Sequence, residues 1–193
     1  DRRKAAEARL DFLAFNDPVS GRANRRFFLL ALKRELQCME RRPRMSAVLF
    51  IDIDRFGALN SATGEAIGDA VLGAIGARLQ ALLPDSAVIA RVESDCFGVL
   101  LPALAHEWQA TTLASDVLHA VVDAHRDAGV QDGGELSASI GIAFANGDRP
   151  QSADAWLADA DAAADHAKTR GRGRYEVFDP EHHQGLLERL LVE

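Results

Sequence analysis

The sequence predicts an α+β fold in which helices pack on a mostly antiparallel sheet. Three observations predict it. Segments with apolar residues at helical spacing alternate with short runs of β-branched and apolar residues. One pair of such runs, 87–92 and 97–102, is separated only by the polar tetrad Glu93, Ser94, Asp95 and Cys96, the pattern of a tight antiparallel hairpin. Finally, 193 residues with 48% hydrophobic and 26% charged side chains suit one globular core with short appendages.

Residues 2–15 are good helix formers with Ala6, Leu10 and Leu13 at spacings of four and three. We assign 1–15 to an N-terminal linker helix, either a coiled-coil lead-in from an upstream sensory domain or a helix packed on its own core. Asn16-Asp17-Pro18 breaks it, and Ser20-Gly21 forms a loop. A helix follows over about 24–42, with Phe27, Phe28, Leu30, Leu32 and Leu36 as its apolar stripe and Pro43 as its stop. Strand 47–54 leads into a glycine-bearing turn region, 56–64. The apolar spacing of Ile67, Val71, Leu72, Ile75, Leu79 and Leu82 then predicts a helix over 66–83, ended by Pro84-Asp85.

Beyond the hairpin the pattern predicts a helix over 106–128, a loop at Gly133-Gly134 and an alternating strand over 136–144. An Ala- and Leu-striped helix over 152–168 runs through Arg170-Gly171-Arg172-Gly173-Arg174 into a short strand, 175–178. Residues 180–193 begin another amphipathic helix, read as the start of a linker toward a following domain, so the main domain spans 16–179. The chain opens on Asp1 and has its first methionine at Met39, as expected of an excised fragment.

A net charge of −7 argues against general binding to a nucleic-acid backbone or an anionic membrane surface. Cys38 and Cys96 fall on separate predicted elements without metal-ligand spacing, and no apolar run reaches membrane-spanning length. A reducing, cytoplasmic compartment is the expectation. The six histidines show no ligand spacing with a cysteine, so surface histidines are expected rather than zinc ligands.

Candidate chemistry lies at two strand ends. Strand 47–54 closes on Asp52 and Asp54, which strand alternation places on one face. If that strand neighbours the hairpin, Asp52, Asp54 and Asp95 converge as oxygen ligands for a hard cation such as Mg²⁺ that bridges to phosphates. Each residue also has an ordinary structural role: Asp54 as a turn cap, Asn60 and Asp69 as loop and helix-start residues, Lys168 and Arg172 as a solvated basic helix end.

Four blocks in order resemble the GGDEF domain, the family of bacterial diguanylate cyclases whose signature is Gly-Gly-Asp-Glu-Phe. They are the opening Asp17-Pro18-Val19-Ser20-Gly21 with Asn24-Arg25; Asp52-Ile53-Asp54-Arg55-Phe56 with Asn60, Gly64 and Gly68-Asp69; Ser139-Ile140-Gly141-Ile142-Ala143; and Ala167-Lys168 with Gly171-Arg172. They surround Glu93-Ser94-Asp95-Cys96-Phe97 at the position of the signature. The resemblance covers roughly 16–179. It implies a palm-like, ferredoxin-related sheet and a reaction joining two GTP molecules into cyclic di-GMP across a homodimer of domains. It further implies that Asp52, the Ile53 carbonyl and Asp95 would hold Mg²⁺, with Asp95 also activating the 3′-hydroxyl. By the same resemblance Asn60 and Asp69 would bind guanine, amides near Phe56 and Gly57 would hold phosphate oxygens, and Lys168 and Arg172, one helical turn apart, would neutralise the terminal phosphates.

The signature departs from the family at Glu93, Ser94 and Cys96. Glycines at a hairpin tip admit a close ligand, whereas Glu93 brings bulk and charge. A carboxylate about 4 Å from a phosphate charge costs on the order of 4 kcal/mol at an effective dielectric of about 20. Cys96, when protonated, cannot assist a hard cation as the family's second acid does. Ser61, Glu65, Asp165 and Gly173 also differ from the family's usual residues, and Pro84 and Ala87 stand where its product-inhibition motif would need Arg and Asp.

The expectation is therefore a degenerate domain, inactive as a cyclase, that regulates and retains the means to bind GTP with Mg²⁺. Phe178-Asp179-Pro180-Glu181 and the following Leu-rich segment resemble the linker to an EAL-type phosphodiesterase, which this domain would tune. A weakly active diguanylate cyclase and a pure dimerisation or interaction scaffold are the alternatives.

Overall fold

The computed structural model describes residues 14–128, 136–148 and 150–180. The readings placed on the linker segments 1–13 and 181–193, and the Gly133-Gly134 loop, lie outside the described residues. The elements run β1 (Ala23–Asn24), α1 (Arg25–Arg41), β2 (Met45–Ile53), α2 (Phe56–Thr63), α3 (Glu65–Leu82), β3 (Val88–Glu93), β4 (Cys96–Leu104), α4 (Trp108–Asp127), β5 (Ala138–Ala145), α5 (Ala153–Thr169) and β6 (Arg174–Val177).

The six strands form one sheet in the order β1-β3-β4-β2-β5-β6. β2 pairs antiparallel with β4 and β5, and β3 pairs antiparallel with β4 through the expected hairpin. Only the edge strands β1 and β6 pair parallel, with β3 and β5. The α+β reading with a mostly antiparallel sheet is what the structure shows. Both faces of β2 are covered, so its run of buried residues is nearly continuous. Leu49, Ile51 and Ile53 face Val71, Leu72 and Ile75 of α3 and Val117 and Val121 of α4. Val48 and Phe50 face the other way, toward Phe28 and Leu32 of α1 and Trp156 and Ala160 of α5. The close fit of α5 depends on Gly141, where a Cβ would fall 1.8 Å from the Ala160 carbonyl oxygen.

Two elements differ from the expectation. Residues 56–63, read as a turn from their glycine and polar residues, form α2, with Phe56 and Leu59 buried at helical spacing. The turn that was expected is reduced to Gly64, whose φ of 91° breaks the chain between α2 and α3. The start of the first long helix is preceded by the two-residue strand β1, and Asn24 caps α1 by accepting from the Phe27 amide at 3.0 Å.

Candidate functional site

The sheet register builds the site. Asp52, the penultimate residue of β2, stands opposite Cys96 of β4 on one side and Ser139 of β5 on the other. The Ile53 amide donates to the Asp95 carbonyl at 3.0 Å, extending the ladder to the hairpin turn. Asp52, Ile53 and Asp95 therefore share one end of the sheet. The Cys96 thiol lies between the two acids, 3.4 Å from Asp52 Oδ2 and 3.8 Å from Asp95 Oδ1. Burial pushes the thiol pKa up, and the Asp52 and Asp95 charges push it further, so Cys96 is a neutral donor to carboxylates.

The expected convergence of three acids does not occur. Asp54 follows the last residue of β2, and its amide donates to the Ser137 carbonyl at 2.9 Å. Its carboxylate turns toward β5 and the α5–β6 turn. Oδ2 accepts from Ser137 Oγ at 2.6 Å and Gly173 N at 3.2 Å, and Oδ1 from Ser139 Oγ at 2.8 Å. Ser139 stands opposite Asp52 and donates to Asp54, so the two acids share a face as alternation requires, but the Asp54 carboxylate is held by these donors rather than joined to Asp52 and Asp95.

The two cations of the site also pair with the two acids. Lys168 Nζ lies 2.7 Å from Asp52 Oδ2 and 3.3 Å from Asp165 Oδ1. Burial lowers the Lys168 pKa, but hydrogen bonds and charge from Asp52 and Asp165 outweigh it and raise the value overall. Arg172 Nε lies 3.8 Å from Asp54 Oδ1. Arg172 is not one helical turn from Lys168 on a common helix: α5 ends at Thr169, and Arg172 sits in the following turn with φ 62°.

Asn60 lies on α2, the helix that follows β2, and packs against the start of α3. Its Oδ1 is buried and has no hydrogen-bond partner among the described residues. A Cβ on Gly68 would fall 1.8 Å from that oxygen, so the glycine makes room for the Asn60 amide beside Asp69, which is exposed. A buried acceptor without a partner is uncommon and marks Asn60 as a residue held for more than packing. At the opposite end of α2, Phe56 is buried and Gly57 exposed. As first-turn residues their amides have no intrahelical acceptor, and Arg55 supplies no side-chain cap.

The hairpin tip is tied down by charges that sequence reasoning did not join. Arg91 donates through Nε to the Ser94 carbonyl at 3.0 Å and pairs through Nη1 with Asp17 at 3.2 Å. Glu93, expected to oppose a phosphate, has its carboxylate 3.3 Å from Arg25 Nη1 at the start of α1, which offsets part of its charge. Partners so far apart in the chain leave no local signal.

Among the described residues no group of three or more His, Cys, Asp and Glu is arranged to hold a metal ion. Asp52 and Asp95 are oxygen donors of the kind Mg²⁺ takes, and such an ion commonly completes its shell with waters and substrate phosphates rather than an all-protein cage. Such an ion would share Asp52 with Lys168.

A family model described as diguanylate cyclase, GGDEF domain, matches residues 14–174, and the chain belongs to this family, whose domains serve cyclic di-GMP signalling. It is similar to the probable diguanylate cyclase DgcE of Escherichia coli K12, 34% identical over 95% of this chain and 16% of that protein. It is also similar to the bifunctional diguanylate cyclase/cyclic di-GMP phosphodiesterase MucR of Pseudomonas aeruginosa, 33% identical over 92% of this chain and 25% of that protein. The chain thus spans a quarter or less of these relatives' lengths. The solved GGDEF domain of TpbB from P. aeruginosa superposes with a TM-score of 0.79 at 34% identity, covering 89% of this chain and 99% of that one. The palm-like fold expected from the resemblance is the observed one.

Proposed function

We propose that this domain binds GTP with Mg²⁺ as a regulatory module and does not make cyclic di-GMP. The single observation that carries this reading is the contrast between the two halves of the pocket. The guanine half keeps Asn60 and Asp69, and Asn60 Oδ1, which has no hydrogen-bond partner among the described residues, is fitted against Gly68. The metal half has Cys96, a neutral thiol donor, on Asp52 where the family has a second acid. Asp52, the Ile53 carbonyl and Asp95 would hold Mg²⁺, which would supply charge neutralisation at the phosphates. Lys168 and Arg172 would meet the terminal phosphates, and the first amides of α2, at Phe56 and Gly57, would hold phosphate oxygens.

In a longer parent chain the domain would tune an adjacent EAL-type phosphodiesterase in the cytoplasm, take input from an upstream sensory domain and associate as a homodimer. That a relative such as MucR is named for both cyclase and phosphodiesterase activities supports a tandem arrangement. No helix among the described residues is long and apolar enough to cross a membrane.

A second reading, a weakly active diguanylate cyclase with Asp95 as the activating acid, is favoured by the retained juxtaposition of Asp52 and Asp95 across the Ile53–Asp95 hydrogen bond. Calorimetric titration with GTP and Mg²⁺ tests the binding claim. Heat of binding with no cyclic di-GMP formed supports the regulatory reading; absence of both heat and thermal shift removes it.

A further inference from the structure

We propose that Asp54 is a positioning residue, whose buried carboxylate anchors the turn after α5 and so presents Arg172 to the terminal phosphates of a bound nucleotide. The inference rests on the reading of this pocket as a GTP site. Asp54 is only 4% exposed, and a carboxylate so deeply buried is tolerated only when its oxygens are satisfied. Its donors come from two places: Ser137 Oγ and Ser139 Oγ at the start of β5, and the Gly173 amide in the α5–β6 turn.

That turn is unusual. Gly171, Arg172 and Gly173 have φ values of 113°, 62° and 59°, three consecutive residues in the left-handed half of the map. For Arg172, which carries a Cβ, such a conformation persists where its surroundings fix it. On one side it is fixed by the end of α5, where the Arg172 amide donates to the Ala167 carbonyl at 3.1 Å and the Gly171 amide to the Lys168 carbonyl at 3.3 Å. On the other side the fixing group is Asp54, through the amide of Gly173.

The guanidinium itself approaches Asp54 through Nε at 3.8 Å while the side chain stays 47% exposed, which leaves its outer nitrogens available to a ligand. Asp52 and Asp54, two residues apart, thus each set the place of one cation, Lys168 and Arg172.

The test compares binding of GTP, GMP and inorganic tripolyphosphate, each with Mg²⁺, to the wild-type domain, Asp54→Asn, Arg172→Ala and the double variant. Asp54→Asn is expected to weaken GTP and tripolyphosphate roughly tenfold, the scale of one charge-assisted hydrogen bond, and to leave GMP within about twofold. The double variant should be no weaker than Arg172→Ala alone. Amide hydrogen exchange at Gly173 should accelerate in Asp54→Asn. Ser137→Ala removes one donor to Asp54 Oδ2 and leaves the Gly173 amide bond to that oxygen in place, so it should lower Tm and keep the wild-type ratio of GTP to GMP affinity. Equal loss of GTP and GMP in Asp54→Asn, additive effects in the double variant, or unchanged exchange at Gly173 would each overturn the positioning role. A wild-type domain that binds none of the three probes overturns instead the reading of the pocket, and with it the role of Arg172 toward phosphates.

Discussion

Lys168 Nζ stands 2.7 Å from Asp52 Oδ2, so the cation assigned to phosphate rests on the carboxylate assigned to the metal. Asp54 and Arg172 repeat the arrangement at 3.8 Å. Each of the two cations is already paired with an acid of the site. A nucleotide that draws Lys168 away would free Asp52 for an ion, which couples the two binding events.

Lys168→Met leaves the Cys96 thiol as the remaining side-chain donor to Asp52 among the described residues. Calorimetry is expected to show Mg²⁺ alone binding several-fold more tightly, since a competing cation is gone, and GTP with Mg²⁺ binding roughly tenfold more weakly. Unchanged affinities for both would contradict the shared role of the pair.

Gly68→Ala introduces a Cβ 1.8 Å from Asn60 Oδ1, the end of a side chain that can swing aside. Stability should fall by only about 1 kcal/mol, read by denaturant unfolding, because the backbone need not move. If Asn60 binds guanine as proposed, GTP affinity should fall at least tenfold, because its amide is displaced. A large loss of stability with normal nucleotide affinity would refute the cradle.

Asp17 supplies a pH dependence. Burial raises its pKa, but hydrogen bonds from Ser20 and the Arg91 charge and hydrogen bond outweigh that and hold it below the ordinary 3.8. A carboxyl with a depressed folded pKa stabilises above its unfolded value and loses that contribution as pH falls through the folded one. Stability should therefore decline below about pH 4, and Asp17→Asn should flatten that part of the profile while lowering stability at neutral pH. Identical slopes in acid unfolding would exclude the Asp17–Arg91 link as the cause.

Asp161 behaves oppositely. Burial raises its pKa, and the charges of Asp165 and Glu93 add to the rise. An acid with a raised folded pKa costs stability above its unfolded value, and solvent screening keeps the effect small at this partly exposed position. Asp161→Asn should raise Tm by about 1–3 °C at pH 7 and by less at pH 4.

Much of this was legible before folding was considered. The hairpin, the central strand and four of the five described helices follow from periodicity, because both faces of the sheet are covered and the apolar stripes are broad. What failed did so where partners distant in the chain decide a side chain's place. Alternation set Asp54 on the face of Asp52, but Ser137, Ser139 and the Gly173 amide take up its carboxylate, so it does not join Asp52 and Asp95. Helical spacing placed Arg172 above Lys168, but α5 stops at Thr169. Helix α2 was hidden by Gly57, Asn60 and Ser61, which favour turns in isolation, and its tertiary burial of Phe56 and Leu59 overrides that preference. The Arg25–Glu93 pair spans 68 positions and depends on the sheet to bring it together.

The most direct measurement is GTP binding and turnover by the wild-type domain beside the Glu93→Gly/Ser94→Gly/Cys96→Glu variant, with cyclic di-GMP as the product followed. The wild type is expected to bind GTP with Mg²⁺ and form no cyclic di-GMP, and the triple variant to gain Mg²⁺-dependent turnover. Clear turnover by the wild type, abolished by Asp95→Asn, would contradict that expectation.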